Sequence, residues 1–323
     1  HDDHGEMTTA EVTDILTQFA DAGVFFLTLS GGEVLMRRDF FEIVEHARSL
    51  LLNVKVKTNA VMIREKEAKQ LRELGVEQIQ ISVYSHRSEV HDAITKLPGS
   101  LKRTLAAIRF LISQGLKVTI GNVLMKPNLS DNAGVMALAK EMGVSYTLDP
   151  TITPMMDGNR SILALRAPAP AIKEAFMDTA LVGDVDKFCA APPPVDEGIL
   201  DGHPCSAGHT GCYVSPYGDV FPCVQFPLPS GNLRTQKFLD IWRNSAELKE
   251  VRSIRARDLP TCSGCSHVGT CTRCPGLAYM EGNMRGPSTA DCEKSFLRTG
   301  IPSANMLRLS KANAVGLVQI QAI

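Results

Sequence analysis

Nine cysteines occur among 323 residues, none before Cys189, and eight of them fall between Cys205 and Cys292. The densest run, "CSGCSHVGTCTRC", puts Cys262, Cys265, Cys271 and Cys274 within thirteen residues. Thiolate is a soft ligand, and four around one centre suit either zinc or an iron-sulfur cluster. Density of this kind in a small secreted domain would suggest disulfides. Here a long, thiol-free and apolar-rich first half precedes it, and clustered thiols in a reducing compartment more often hold metal. Upstream lie Cys205, Cys212 and Cys223; downstream, Cys292 follows Cys274 after seventeen residues. Spacing does not see the metal, so two structural zinc sites stay open beside two iron-sulfur clusters. Cys189 reads as a spare buried thiol.

The elements that must position these groups come in two textures. Up to about residue 150, strands alternate with helices. "TTAEVTDILTQFADAG" opens with a capping box, Thr8 and Glu11, and carries an apolar stripe at Val12, Ile15, Leu16 and Phe19. The strand "VFFLTLS" follows, then a helix with Asp39 as its expected N-cap and Phe40, Ile43, Val44 and Ala47 on one face. Strands "VKVKT", "QIQISV", "KVTIGNVL" and "VSYTL" then alternate with helices around Glu65 to Leu74, Leu101 to Ser113 and Asp131 to Met142. Such alternation argues for parallel strands with helical crossovers. Ile79, Ile81 and Val83 alternate with Gln78, Gln80 and Ser82, and Lys55, Lys57 and Asn59 repeat the pattern, so one sheet face is polar. Strands buried on both faces lack that alternation, which favours a barrel or half-barrel with a polar, ligand-filled interior.

Pro-rich segments around one helix, between about Pro168 and Pro204, mark the change of texture. Beyond them "CYVSPYGDVFPC" reads as a hairpin and "KFLDIWRNSAELKEVRS" as one helix burying Phe238, Ile241, Trp242 and Leu248. The net charge of -1 lacks the basic excess that nucleic-acid binding requires. No apolar run reaches the roughly 18 residues of a membrane span, and no secretory signal opens the chain, so the expected compartment is the cytoplasm. His1 and His4 read as solvated terminal residues, "RSEVHD" as an exposed helix start, and Met155 with Met156 as core filler or the lining of a substrate cavity.

The cysteine intervals resemble the SPASM domain, a C-terminal extension of radical S-adenosylmethionine (radical SAM) enzymes that holds auxiliary four-iron four-sulfur clusters. One departure is the two residues, rather than the usual three, before Cys274. The likeness extends upstream, where "LSGGEVL" is similar to the turn with which those enzymes hold the cofactor's amino group. By themselves Gly31 and Gly32 read as an ordinary tight turn. The resemblance implies cofactor contacts from Gly31, Gly32, Glu33, Thr58, Asn59 and Ser82, at strand ends where parallel α/β folds gather ligands. Asn122 is a further candidate, although it shares the parity of the outward-facing Val118 and Ile120.

The family pattern further implies one cluster on Cys205, Cys212, Cys223 and Cys274 and a second on Cys262, Cys265, Cys271 and Cys292. The expected fold is α/β: a partial (β/α)6 TIM-like barrel, its first strand absent, over residues 1–167. A linker with a helix at 168–204, a small SPASM domain with two iron-sulfur clusters at 205–300 and a tail at 301–323 complete it. The resemblance places a CxxxCxxC segment, which would hold a third four-iron cluster in the intact protein, upstream of "HDDHGEM". The implied activity is reductive cleavage of S-adenosylmethionine to a 5'-deoxyadenosyl radical that takes hydrogen from a peptide or small-protein substrate. Electrons would come from a donor such as flavodoxin or ferredoxin. Modification of a protein side chain or of a tetrapyrrole is the alternative within that chemistry, and a non-catalytic zinc-binding scaffold the alternative outside it.

Overall fold

The computed structural model describes residues 5–310, so His1, His4 and the last part of the expected tail lie outside it. Two units emerge. The first comprises the chain up to Ile152 with Leu165–Ala167 and Leu233–Leu239; the second comprises Thr153–Ala164, Pro168–Asn232 and Asp240 onward.

The first unit runs α1 (Thr9–Asp21), β1 (Phe26–Leu29), α2 (Phe40–Ser49), β2 (Asn53–Thr58), α3 (Glu65–Glu73), β3 (Gln78–Ser82), α4 (Ser88–Thr95), α5 (Ser100–Ser113), β4 (Lys117–Val123), α6 (Asn132–Glu141) and β5 (Ser145–Asp149). The five strands form one sheet in sequential order, every neighbouring pair parallel. This is the partial barrel that the alternation implies. The register aligns Val56, Ile79 and Val118, then Thr58, Ile81 and Ile120, across neighbouring strands. Of these Val56, Ile79, Ile81 and Ile120 are fully buried. On the other face Lys55 aligns with Gln78, and Lys57 with Gln80 and Thr119; Gln78 Nε2 donates to Thr119 Oγ1 at 2.7 Å. At the β1 edge this face also carries Phe26, 67% exposed, with Lys55 Nζ 6.0 Å from its ring centroid.

The capping box forms as expected: Thr8 Oγ1 accepts from Glu11 N, and the Glu11 carboxylate accepts from Thr8 N at 2.7 Å. Asp39 precedes α2 but makes no side-chain cap. Its carboxylate instead accepts from Arg37 and from Thr9 Oγ1 at 2.6 Å, because a guanidinium two residues away is a stronger partner than a helix N–H. The start of α4 is exposed as expected at Arg87, Ser88 and Glu89, but His91 is 1% exposed, its Nδ1 accepting from Tyr84 N at 3.2 Å.

The second unit begins with four short helices where one was expected: α7 (Ala169–Phe176), α8 (Thr179–Val182), α9 (Val185–Phe188) and α10 (Glu197–Asp201). Asp178, Asp184 and Asp196 each cap the helix that follows, which divides the segment. Met155, read as core filler or cavity lining, is 47% exposed. The expected hairpin is present as β6 (Tyr213–Val214) and β7 (Asp219–Phe221), extended by β8 (Gly231–Asn232). "KFLDIWRNSAELKEVRS" is two helices, α11 (Phe238–Asn244) and α12 (Ala246–Ser253). Ser245 separates them, its hydroxyl accepting from Leu248 N as the N-cap of α12. Then come α13 (Pro275–Met280) and α14 (Thr289–Thr299), and residues 304–310 are helical as well. No helix among the described residues is long and apolar enough to cross a membrane.

Ile120→Ala, in a fully buried position of β4, should cost about 2–5 kcal/mol. Lys57→Ala, on the exposed face of β2, should stay within about 0.5 kcal/mol. Urea unfolding of the two variants, with unchanged denaturant slopes, checks the assignment of the faces.

Candidate metal centre and cofactor site

In the first unit the loop after β1 is tied to the end of β2 by one carboxylate. Glu33 Oε1 accepts from Thr58 Oγ1 at 2.6 Å and from Leu35 N at 3.2 Å, while Oε2 accepts from Asn59 N at 2.8 Å. Thr58 Oγ1 in turn accepts from Ala60 N at 2.8 Å, and Asn59 Oδ1 from Val61 N at 2.9 Å. Ala60 is fully buried at a φ of 60°, a left-handed position that costs an alanine energy unless its neighbours fix it. Thr104 on α5 adds a bond to Asn59 O at 2.9 Å. Its role was not legible in the sequence, since nothing marks one helix threonine among many.

The glycine pair has no such role within the chain. Neither Gly31 nor Gly32 adopts a left-handed φ, and an added Cβ at either meets no atom within 4 Å. Both are exposed at the C-terminal end of a parallel strand. The open space beside a fixed backbone fits a ligand that approaches the main chain closely. Ser82 is half-buried on the polar face, in register with Gly121, over which Gln80 lies. Asn122 is elsewhere: 2% exposed on the apolar face, with Oδ1 3.4 Å from Asn128 Nδ2. The sequence parity had pointed there.

The second unit gathers the thiols. Cys262, Cys265, Cys271 and Cys292 line one cavity of about 270 Å³. Burial pushes Cys292 up to about 11, and the charges of Cys271, Cys262 and Cys265 add to the shift. Sulfur acceptors are served from several elements: Cys265 by Ala304 N and Cys271 by Ser295 Oγ, both at 3.4 Å. Cys292 and Ser295 come from consecutive turns of α14, so a helix supplies both a thiol and a donor to a neighbouring thiol. Three of the remaining thiols are linked to one another. Cys205 and Cys223 pack against Ala207, Phe226 and Val251, and Cys205 acts electrostatically on Cys274. Burial raises the Cys274 thiol, and the Gly276 and Leu277 amides at the start of α13 oppose that rise. Burial pushes Cys212 up to about 11, against the pull of the Arg252 guanidinium. Cys189 is half-buried, its sulfur 3.7 Å from Phe176 O and 3.9 Å from Met177 Sδ.

Four thiols around one cavity fit a four-iron cluster, each iron of which takes one thiolate. Four buried polar atoms in the same lining have no hydrogen-bond partner in the protein: Arg273 Nη1, His267 Nδ1, Ser288 Oγ and Asp291 Oδ1, the last of them ion-paired with Lys294. The Arg273 guanidinium and the Ser288 hydroxyl can donate, and buried donors of this kind call for an acceptor within the cavity. Binding to thiols held near 11 must release their protons, so assembly competes with acid.

Close packing decides whether the Cys274 helix can meet the Cys223 loop. A Cβ at Gly276 would lie 2.1 Å from Gln225 O. Gly276→Ala should therefore lower the iron bound after anaerobic reconstitution. Gly264→Ala, where the methyl meets nothing within 4 Å, should retain it. Iron analysis of both proteins checks the contact.

Comparison with known proteins agrees with this geometry. The Radical SAM superfamily matches residues 1–139, and an iron-sulfur cluster-binding domain, SPASM, matches residues 205–266. An AdoMet-dependent heme synthase of Methanosarcina barkeri is 30% identical over 295 residues, covering 85% of this chain and 84% of that protein. A PqqA peptide cyclase of Xanthomonas axonopodis pv. citri is 30% identical over 321 residues, 93% of this chain and 82% of that protein. Among solved structures, SuiB of Streptococcus suis bound to S-adenosylmethionine superposes with a TM-score of 0.69 at 18% identity, over 88% of this chain and 70% of that one. The polar-faced parallel sheet and the thiol-lined unit are thus those of a radical SAM enzyme with a SPASM domain, the family to which this chain belongs.

Proposed function

We propose that this enzyme modifies a peptide or small-protein substrate by radical chemistry in the cytoplasm, with electrons supplied by a flavodoxin- or ferredoxin-like donor. The observation that carries the chemistry is the Glu33 bracket, which leaves the glycine pair open at the end of β1. The peptide substrate is supported by the likeness to a peptide cyclase across nearly the whole chain. A tetrapyrrole substrate is the second reading, favoured by the heme synthase relative.

The chemistry that S-adenosylmethionine supplies when bound is a 5'-deoxyadenosyl radical able to take hydrogen from a substrate. This chain's part is to hold the cofactor still. Since the Glu33 carboxylate is occupied by Thr58, Asn59 and Leu35, the amino group would be met by the backbone of Gly31 and Gly32. Asn59 and Ser82 would contribute polar contacts from the strand ends. Asn122 would act indirectly, through Asn128, whose Nδ2 also donates to Tyr84 O and Val123 O. In the second unit we assign one cluster to Cys205, Cys212, Cys223 and Cys274 and another to Cys262, Cys265, Cys271 and Cys292.

Anaerobic preparation should yield about eight iron for two four-iron clusters on these thiols; colourless protein carrying two zinc would overturn the assignment. Glu33→Ala leaves the Thr58 hydroxyl and Asn59 N–H without their acceptor. Loss of such charge-assisted bonds, about 1.5–3 kcal/mol, should weaken S-adenosylmethionine binding at least tenfold by equilibrium dialysis. Release of 5'-deoxyadenosine by the reconstituted enzyme, stimulated by a cognate precursor peptide and not by a tetrapyrrole, would establish the substrate class. The opposite pattern would replace the peptide reading with the second one.

A further inference from the structure

Arg273 stands where the cysteine spacing departs from its family, one residue before Cys274. It is 7% exposed and lines the cavity of Cys262, Cys265, Cys271 and Cys292. Its guanidinium is anchored by backbone carbonyls: Nε donates to Gly286 O at 2.9 Å, and Nη2 to Gly286 O and to Met284 O. Nη1 is buried without a hydrogen-bond partner. Among the described residues Arg273 forms no ion pair with a carboxylate, whereas Asp291, which also lines the cavity, is paired with Lys294 at 2.8 Å. The cation that faces the thiols is therefore uncompensated, and it favours the Cys262 thiolate. Burying a guanidinium without a counter-ion is costly unless something negative lies beside it.

We propose that Arg273 is the counter-charge of the cluster held by Cys262, Cys265, Cys271 and Cys292, and that it raises the reduction potential of that cluster. The inference rests on the cluster assignment above. Adding one electron to a four-thiolate cluster would increase its negative charge, so a fixed cation lining the same cavity would stabilise the reduced form more than the oxidised form. The Nη1 donor acts in the same direction through the sulfurs. His267, 1% exposed and fixed by a contact of its Nε2 with Ile301 O at 2.9 Å, presents Nδ1 to the same cavity. His203 is a further lining residue, its Nδ1 3.1 Å from Arg255 Nη1. Arg273 is in this sense a positioning residue for electrons and need not touch substrate.

The test is an anaerobic, EPR-monitored redox titration of reconstituted wild type, Arg273→Gln and Arg273→Lys, with iron counted in each. The signal that disappears in Cys292→Ala identifies the cluster concerned. Arg273→Gln should keep its iron and shift the reduced-to-oxidised ratio at fixed potential at least tenfold toward the oxidised form, which is 59 mV or more downward for one electron. Arg273→Lys, which keeps the charge, should remain near wild type. Full iron with an unchanged potential in Arg273→Gln overturns the proposal, as does a Lys variant shifted as far as the Gln variant. Loss of the cluster from Arg273→Gln with retention at wild-type potential in Arg273→Lys supports a counter-charge; loss from both shows a packing role and overturns it. Wild type without iron refutes the cluster assignment itself, an outcome distinct from iron-loaded protein with unmoved potentials.

Discussion

Sulfur buried in a loop-rich unit is the constraint on which the C-terminal half depends. A protein of this size can build an ordinary core, and the first unit does so with its strands and helices. The second unit instead spends its interior on thiols. Burial pushes Cys212 and Cys292 to about 11 and raises Cys262, Cys271 and Cys274 as well. Such groups are inert as free thiols, because the thiolate is the nucleophile and the ligand. Metal that replaced their protons would link the segments that carry them, among them helix α14.

The first unit answers a different constraint, that of a sheet with one wet face. Its helix-facing side is closed by Val56, Ile79, Ile81 and Ile120, all fully buried. Its other side carries lysine, glutamine and threonine. A parallel sheet tolerates this arrangement when the polar side lines a ligand space. Glu33 converts the sheet from a surface into a site. By taking donors from Thr58 and Asn59 it fixes the ends of two strands relative to each other, and it leaves backbone, not side chain, exposed at Gly31 and Gly32. Preorganisation of this kind places its cost in folding, before the ligand arrives.

The strand ends of the first unit and the thiol cavity of the second offer unlike surroundings. The strand ends offer neutral hydrogen-bonding groups and close backbone approach. The thiol cavity offers an uncompensated guanidinium, a buried imidazole and hydroxyls, which are the groups that set the potential of an iron-sulfur centre. Arg273 occupies the place where a residue is missing from the usual spacing, so a change in loop length coincides with a change in local charge.

The amino-acid sequence determined the local and periodic features. The alternation in "QIQISV" gave the faces of β3, the Thr8 and Glu11 pair gave the start of α1, and the cysteine intervals gave the thiol-rich unit, because each depends on neighbours a few residues apart. Tertiary structure alone decided that the Glu33 carboxylate turns to Thr58 and Asn59, residues 25 and 26 positions away. It decided too that Gly276 lies against Gln225 and that Arg273 faces Cys262. A buried charge or an acceptor chooses its partner by proximity and desolvation, and neither quantity exists until distant segments have packed.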